Sequence, residues 1–293
     1  MKKNFIRALF SLILSLFITI LVLAVGLSHF AMHHICDEEY MQKISSASNF
    51  TNELYEEIRY DWENLISITG ITEQDSILSV LTPQIVKEDT IGYITSSYTG
   101  KATLNTDSLR ANLDSKIRDY ANSHNINATP DAELVKNITD LVDACIKDYR
   151  TSVCIPMLPK ILSSVTSLAG YLDIIMLGAT IGIALLLLFL FAIQRKKQDI
   201  FYYTALSGLT NSALLIGGMY LIGYHEIISR IPFEDSALKT LISDYLQSLV
   251  TALQQYGYYY LIAAIICLTI YLMIQAVIRI VRKAKTKTTS EKE

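Results

Sequence analysis

The chain has 293 residues, of which 51% are apolar and only 18% charged, and its mean hydropathy is +0.33. A soluble domain carries nearer a quarter charged residues, so this composition excludes an ordinary fully solvated protein. The net charge of -3 hides an acidic centre, which excludes nucleic-acid binding for that region.

The apolar excess comes in blocks. Ala8 to Cys36, Ile174 to Gln194, Ile200 to Tyr224 and Tyr245 to Ile278 contain no Asp, Glu, Lys or Arg. Each supplies the roughly 20 apolar residues that a helix needs to cross about 30 Å of hydrocarbon. Lys2, Lys3 and Arg7 precede the first block; Arg195, Lys196 and Lys197 separate the second from the third; Arg279, Arg282, Lys283, Lys285, Lys287 and Lys292 follow the fourth. Residues 28–170 carry 20 acidic and 11 basic residues instead. By the positive-inside rule the basic ends mark the cytoplasm.

The expected fold is therefore all-α: a four-helix transmembrane protein with an all-helical extracytoplasmic domain between the first and second membrane helices. In chain order, 1–7 is a cytoplasmic N-terminus, 8–30 the first membrane helix and 31–170 the extracytoplasmic domain. The second membrane helix is 171–193, followed by a cytoplasmic loop at 194–199 and the third membrane helix at 200–224. Residues 225–255 form an outer loop with an amphipathic helix, 256–280 the fourth membrane helix and 281–293 a basic cytoplasmic tail. The first block, with its basic start and Ala24-Val25-Gly26, also fits a cleaved signal peptide. Its apolar run exceeds the usual core of about 7–15 residues, so it reads as an anchor. A composition rich in Ile, Asn, Lys and Tyr fits a bacterial chain, whose membrane would be the plasma membrane.

Between the first two blocks apolar residues recur at helical spacing, with no sustained alternation. Tyr40, Ile44 and Ala47 form one stripe, followed by Leu54, Ile58, Trp62 and Leu65. Ile77, Leu81 and Ile85, then Ile91 and Ile94, suggest an element broken at Pro83. Leu109, Leu113, Ile117 and Tyr120 follow the cap candidates Thr106 and Asp107. Leu134, Ile138, Leu141, Val142, Cys145, Ile146 and Tyr149 share a face of a helix opened by Thr129, Pro130 and Asp131. Single-faced stripes must be buried against one another or against partners. Pro156 and Pro159 open a helix entering the second span, and Leu238, Leu241, Ile242, Tyr245 and Leu249 make an amphipathic run entering the fourth.

Cys145 and Cys154 lie nine apart around a helix end and would pair only in an oxidising compartment; two unpaired thiols are the simpler reading. Asn49, Asn127 and Asn137 head Asn-x-Ser/Thr triplets in the same region. Ser11, Ser15 and Thr19 line one face of the first span. Ser207, Thr204, Asn211 and Gln275 read as interhelical hydrogen-bonding groups. Gly178 with Gly182, and Ala213 with Gly217, fit the small-xxx-small pattern, which serves either packing within the bundle or a dimer face. Asp173, at the edge of the second span, is the charge nearest the membrane core.

Four of the five histidines fall near the outer surface. His29, His33 and His34 end the first span, and His225, beside Glu226, ends the third. His29 and His33 share a helix face at i and i+4, the spacing of a metal-ligand pair, and His225 or Glu226 would complete a divalent-metal site if the two ends touch. The alternative is that these are ordinary interfacial residues. Residues 225–229 lack the second histidine of a zinc-protease helix, and no nucleophile elbow, phosphate loop, Cys-x-x-Cys pair or dinucleotide fingerprint occurs.

These features favour a non-enzymatic integral membrane protein whose outer domain binds a protein partner, senses the exterior or supports a membrane complex. Its partners are the lipid bilayer, a protein and a possible second copy of itself, with no nucleic acid. The alternative is a small transporter, channel or lipid-handling protein built on the polar stripe of the first helix. A metalloenzyme using the histidines is a third reading.

Overall fold

A computed structural model describes residues 2–124, 132–224 and 236–290, with side chains for 5–124, 132–222 and 236–283. The described chain is helical throughout: α1 (Lys2–Phe30), a single π-helical turn at Ala31–Ile35, α2 (Glu38–Ala47), α3 (Phe50–Ser67), α4 (Gln74–Leu78), α5 (Pro83–Ser97), α6 (Asp107–Ser123), α7 (Ala132–Val153), α8 (Leu158–Ile193), α9 (Asp199–Tyr224) and α10 (Ser236–Ser290). It divides into two compact units. One comprises residues 1–34, 168–231 and 247–293, the other 35–167 and 232–246. The expected opening of α7 at Thr129, Pro130 and Asp131, the triplet at Asn127, and both His225 and Glu226 lie outside the described residues.

The second unit is built like a soluble helical domain. In α3, Leu54, Ile58, Trp62 and Ile66 recur every fourth residue and are all buried. That row packs on Ile138, Val142, Cys145, Tyr149 and Val153 of α7, spaced by three and four. The Trp62 indole N–H donates to the Cys145 carbonyl at 3.1 Å, and its ring lies 6.3 Å from that of Tyr149. The Tyr149 hydroxyl in turn donates to Asp89 Oδ2 at 2.6 Å. Trp62 and Tyr149 thus have their polar atoms satisfied, as burial demands. Arg150 places Nε and Nη2 on the Thr106 hydroxyl at 3.0 and 2.7 Å, binding the start of α6 to the end of α7.

Local signals set the helix ends. Pro83 occupies the first turn of α5, where its missing N–H costs nothing, and the Thr82 hydroxyl accepts from the Ile85 N–H at 3.2 Å. Asp37 caps α2 through the Glu39 N–H. Gly70 and Gly100, with φ of 80° and 74°, reverse the chain after α3 and α5 in a conformation that side chains resist. The stripes differ in part from their expected membership: in α3 the last buried position is Ile66, with Leu65 half-buried. In α2 the buried pair is Met41 and Ser45, with Ala47 exposed. In α5 the buried set is Val86, Thr90, Tyr93, Ile94 and Ser97. Thr90 and Ser97 bury hydroxyls by donating to the Val86 and Tyr93 carbonyls of their own helix, so polar residues sit on the inner face and blur the apolar period.

Among the described residues of this unit, Asp148 is the carboxylate with a buried, unpartnered oxygen, Oδ2. Burial, with Asp61 nearby, pushes its carboxyl up to about 6. The folded unit therefore holds this proton more tightly than the unfolded chain does. The contribution of Asp148 makes stability fall as pH rises from about 4 to about 6, and the loss persists above that. Asp148→Asn should raise the melting temperature at neutral pH and flatten the profile across that window. Allowing for solvent screening of a half-buried group, the gain is on the order of 1 kcal/mol. A thermal melt of both proteins across that range, with equal slopes, would contradict it.

The first unit inverts this pattern. α8, α9, α10 and α1 contain the four stretches long and apolar enough to cross a membrane. Their outward faces carry large apolar side chains, among them Phe17, Ile20, Leu177, Leu188, Phe189, Ile262, Leu272 and Met273. Their inward faces bury Ser11, Ser15, Thr19, Gln194, Ser207, Asn211 and Ser212. In water such an arrangement leaves a large exposed apolar surface, whereas hydrocarbon favours it, because polar groups there must be satisfied inside the protein. The arrangement is that of a multi-pass membrane protein.

A polar seam joins these helices. Ser15 Oγ donates to the Tyr203 carbonyl at 3.0 Å, Asn211 Nδ2 to the Thr19 carbonyl at 3.2 Å and Gln194 Nε2 to Ser11 Oγ at 2.6 Å. From α10, the Tyr260 hydroxyl donates to the Val22 carbonyl at 3.1 Å. Gln275 bonds within α10 instead, to the Tyr271 hydroxyl at 3.1 Å.

Candidate functional site

The histidines lie at the end of α1. The rings of His29 and His33 are 4.3 Å apart, centroid to centroid. His29 Nδ1 is 2.6 Å from the Tyr256 hydroxyl, so the ring is oriented by α10. The His34 ring stacks on Phe30 at 4.8 Å, and its Nδ1 lies 3.1 Å from the Phe30 carbonyl. The π turn at Ala31–Ile35, one residue wider than an α turn, carries His33 and His34. The structure thus brings His29 against His33 and Tyr256, and His34 meets the same tyrosine ring edge-on at 6.1 Å. Among the described residues, no group of three or more His, Cys, Asp or Glu side chains is placed to hold a metal ion. What the cluster presents is an aromatic and imidazole collar, with Tyr259 beside Tyr256 at 6.2 Å. No sequence period links residue 29 to 256, so the tyrosine partner was invisible beforehand.

The four cysteines are free thiols. Cys145 sits in α7, and Cys154 extends that helix by donating its N–H to the Arg150 carbonyl at 2.9 Å. Nine helical residues rise about 13 Å, twice what a disulfide spans. Burial pushes the Cys145 thiol up to about 12 and raises that of Cys154, so neither is a poised nucleophile.

Two concave surfaces stand out, one in each unit. In the second unit a groove of about 460 Å³ lies between α6 and α7, lined by Ile71, Ile117, Tyr120, Leu134, Ile138 and Leu141, with Asn137 and Asp140 at its polar edge. It uses residues that the sequence assigned to helix faces. The outer edges of both stripes, at Tyr120, Leu134 and Leu141, remain half-buried. In the first unit a cavity also near 460 Å³ opens between the α8–α9 connection and α10, with Lys196, Lys197, Arg279 and Arg282 around it.

The glycines distribute differently from the sequence pattern. Close helix approach occurs at Gly208, where an added Cβ would meet Ala264 Cβ at 3.0 Å and the Tyr260 carbonyl at 3.2 Å. Gly257 is equally tight, against Ile216 and Leu215. Gly182 faces Leu21, whereas Gly178 and Gly217 have nothing within 4 Å. No protein-family model, curated protein or solved structure matches this chain.

Proposed function

We propose that this is a membrane-anchored binding protein: a four-span bundle holds a helical domain outside the cytoplasm, and that domain engages a protein partner. The observation that carries this reading is the contrast between the units. The second is a helical domain with its own apolar core and a surface groove of about 460 Å³, while in the first Ser15, Gln194 and Asn211 hydrogen-bond between helices. Ser11, Ser15 and Thr19, the stripe that would line a solute path, are buried in helix contacts, which weighs against the transporter reading. The acidic surplus of 28–170 and the basic residues flanking the spans support an outer position for the domain and cytoplasmic termini. No catalytic role is proposed.

Photo-cross-linking in intact cells tests this. A cross-linking residue at Leu134 or Leu141 in the groove should trap one protein of defined mass, and one at Tyr60, exposed on α3, should not. Adducts of equal yield at all three positions, or none at any, would reject the groove as the binding face. Solute flux in vesicles containing the purified chain would reject the anchor reading.

A further inference from the structure

We infer that the basic cavity of the first unit is a binding site for an anionic phospholipid, with the phosphate held by Lys196 and Arg279 and an acyl chain lying along Phe201, Ile274 and Ile278. The inference rests on placing this unit in a bilayer and is independent of any partner of the second unit.

Three observations converge. The cavity, about 460 Å³, combines a cationic rim with an apolar floor, the two chemistries that one phospholipid presents at a membrane surface. Its position follows from the chain: Lys196 and Gln198 lie in the short connection between α8 and α9, and Arg279 and Arg282 follow the last apolar turn of α10. A headgroup would thus meet the site where the apolar helices end.

The charges are also available. Neither Lys196 nor Arg279 makes an ion pair among the described residues, and both side chains are exposed. Lys197 is committed elsewhere: its ammonium donates to the Phe191 carbonyl at 2.5 Å and lies 3.9 Å from the centre of that ring, holding the end of α8. The site therefore distributes its cations between structure and ligand.

The third observation is Gln198. Its side chain is more than nine-tenths buried, lines the cavity and makes no hydrogen bond among the described residues. The amide, unpartnered among those residues, opens on the cavity, where a phosphate oxygen would accept its N–H. Gln198 supplies a directional donor that a merely solvated basic loop does not need.

The test is lipid binding by the purified, delipidated full-length chain, read by native mass spectrometry with phosphatidylglycerol and with phosphatidylcholine. Phosphatidylglycerol should bind at least about tenfold more tightly, since each interfacial cation adds severalfold. The pair Lys196→Gln with Arg279→Gln should lose about tenfold of that affinity. The pair Arg195→Gln with Lys283→Gln removes the same charge at positions outside the cavity lining and should lose less than about twofold. Gln198→Leu, which leaves net charge intact, should weaken binding severalfold. Equal losses in the two charge pairs, or no preference between the lipids, would overturn the site. Displacement of the lipid by glycerol phosphate alone would reassign it to a soluble phosphate and overturn the lipid proposal. Lys196 and Arg279 are exposed, so their replacement leaves the fold intact, and an unchanged melting temperature verifies this.

Discussion

Trp62→Ala should destabilise the second unit by about 3–5 kcal/mol. Trp62 is fully buried, and its removal opens a void between α3 and α7, the central pair of the core. The loss compounds, because the indole N–H is the bond that links α3 to the Cys145 carbonyl, and Tyr149 loses its ring neighbour. A domain of this size commonly has a total stability of about 5–15 kcal/mol, so the variant should melt well below the parent. Circular dichroism and limited proteolysis should show the second unit opening while the apolar bundle persists. Trp62→Phe, which keeps most of the volume but not the N–H, should fall between the two. A melt of Trp62→Ala within a degree of the parent would mean that α3 and α7 do not form the core described.

The second large effect concerns the bundle. Gly208→Leu should destabilise it by about 1–3 kcal/mol, because the new side chain meets the Tyr260 carbonyl, a backbone atom that cannot rotate aside. Gly217→Leu, on the same helix with nothing within 4 Å, should change the stability of the isolated bundle by less than about 0.5 kcal/mol. Cys267, half-buried in α10, offers a native probe. On heating in detergent its reaction with a maleimide should begin at a lower temperature in Gly208→Leu and at the parental temperature in Gly217→Leu. The reverse order would move the close helix approach to the other face of α9.

How much of this was legible beforehand depends on which interactions are local. The apolar blocks, the break at Pro83 and most members of the stripes of α3, α6 and α7 follow from charge, turn chemistry and a 3.6-residue period. Those signals are carried by neighbouring residues. The stripe of α5 was misassigned to Ile85 and Ile91 because Thr90 and Ser97 satisfy themselves within the helix, which a reading based on apolar period alone passes over. Small-xxx-small spacing found Gly182 but pointed equally to Gly178 and Gly217, which touch nothing. It missed Gly208 and Gly257, because close approach depends on what the opposing helix presents. The contact of His29 with Tyr256, and the cavity that Gln198 shares with Arg279 and Arg282, join residues distant in sequence. Only the folded chain could show either.

The central claim is an outer helical domain on a membrane bundle with basic ends inside. It is tested most directly by labelling intact cells with a membrane-impermeant maleimide. The parent should have its natural cysteines replaced, with one introduced at Ile68, highly exposed in the second unit, or at Lys196, between α8 and α9. The account predicts that Ile68→Cys reacts in intact cells and Lys196→Cys only after permeabilisation. Labelling of Lys196→Cys in intact cells, with Ile68→Cys protected until lysis, would contradict it and turn the protein over in the membrane.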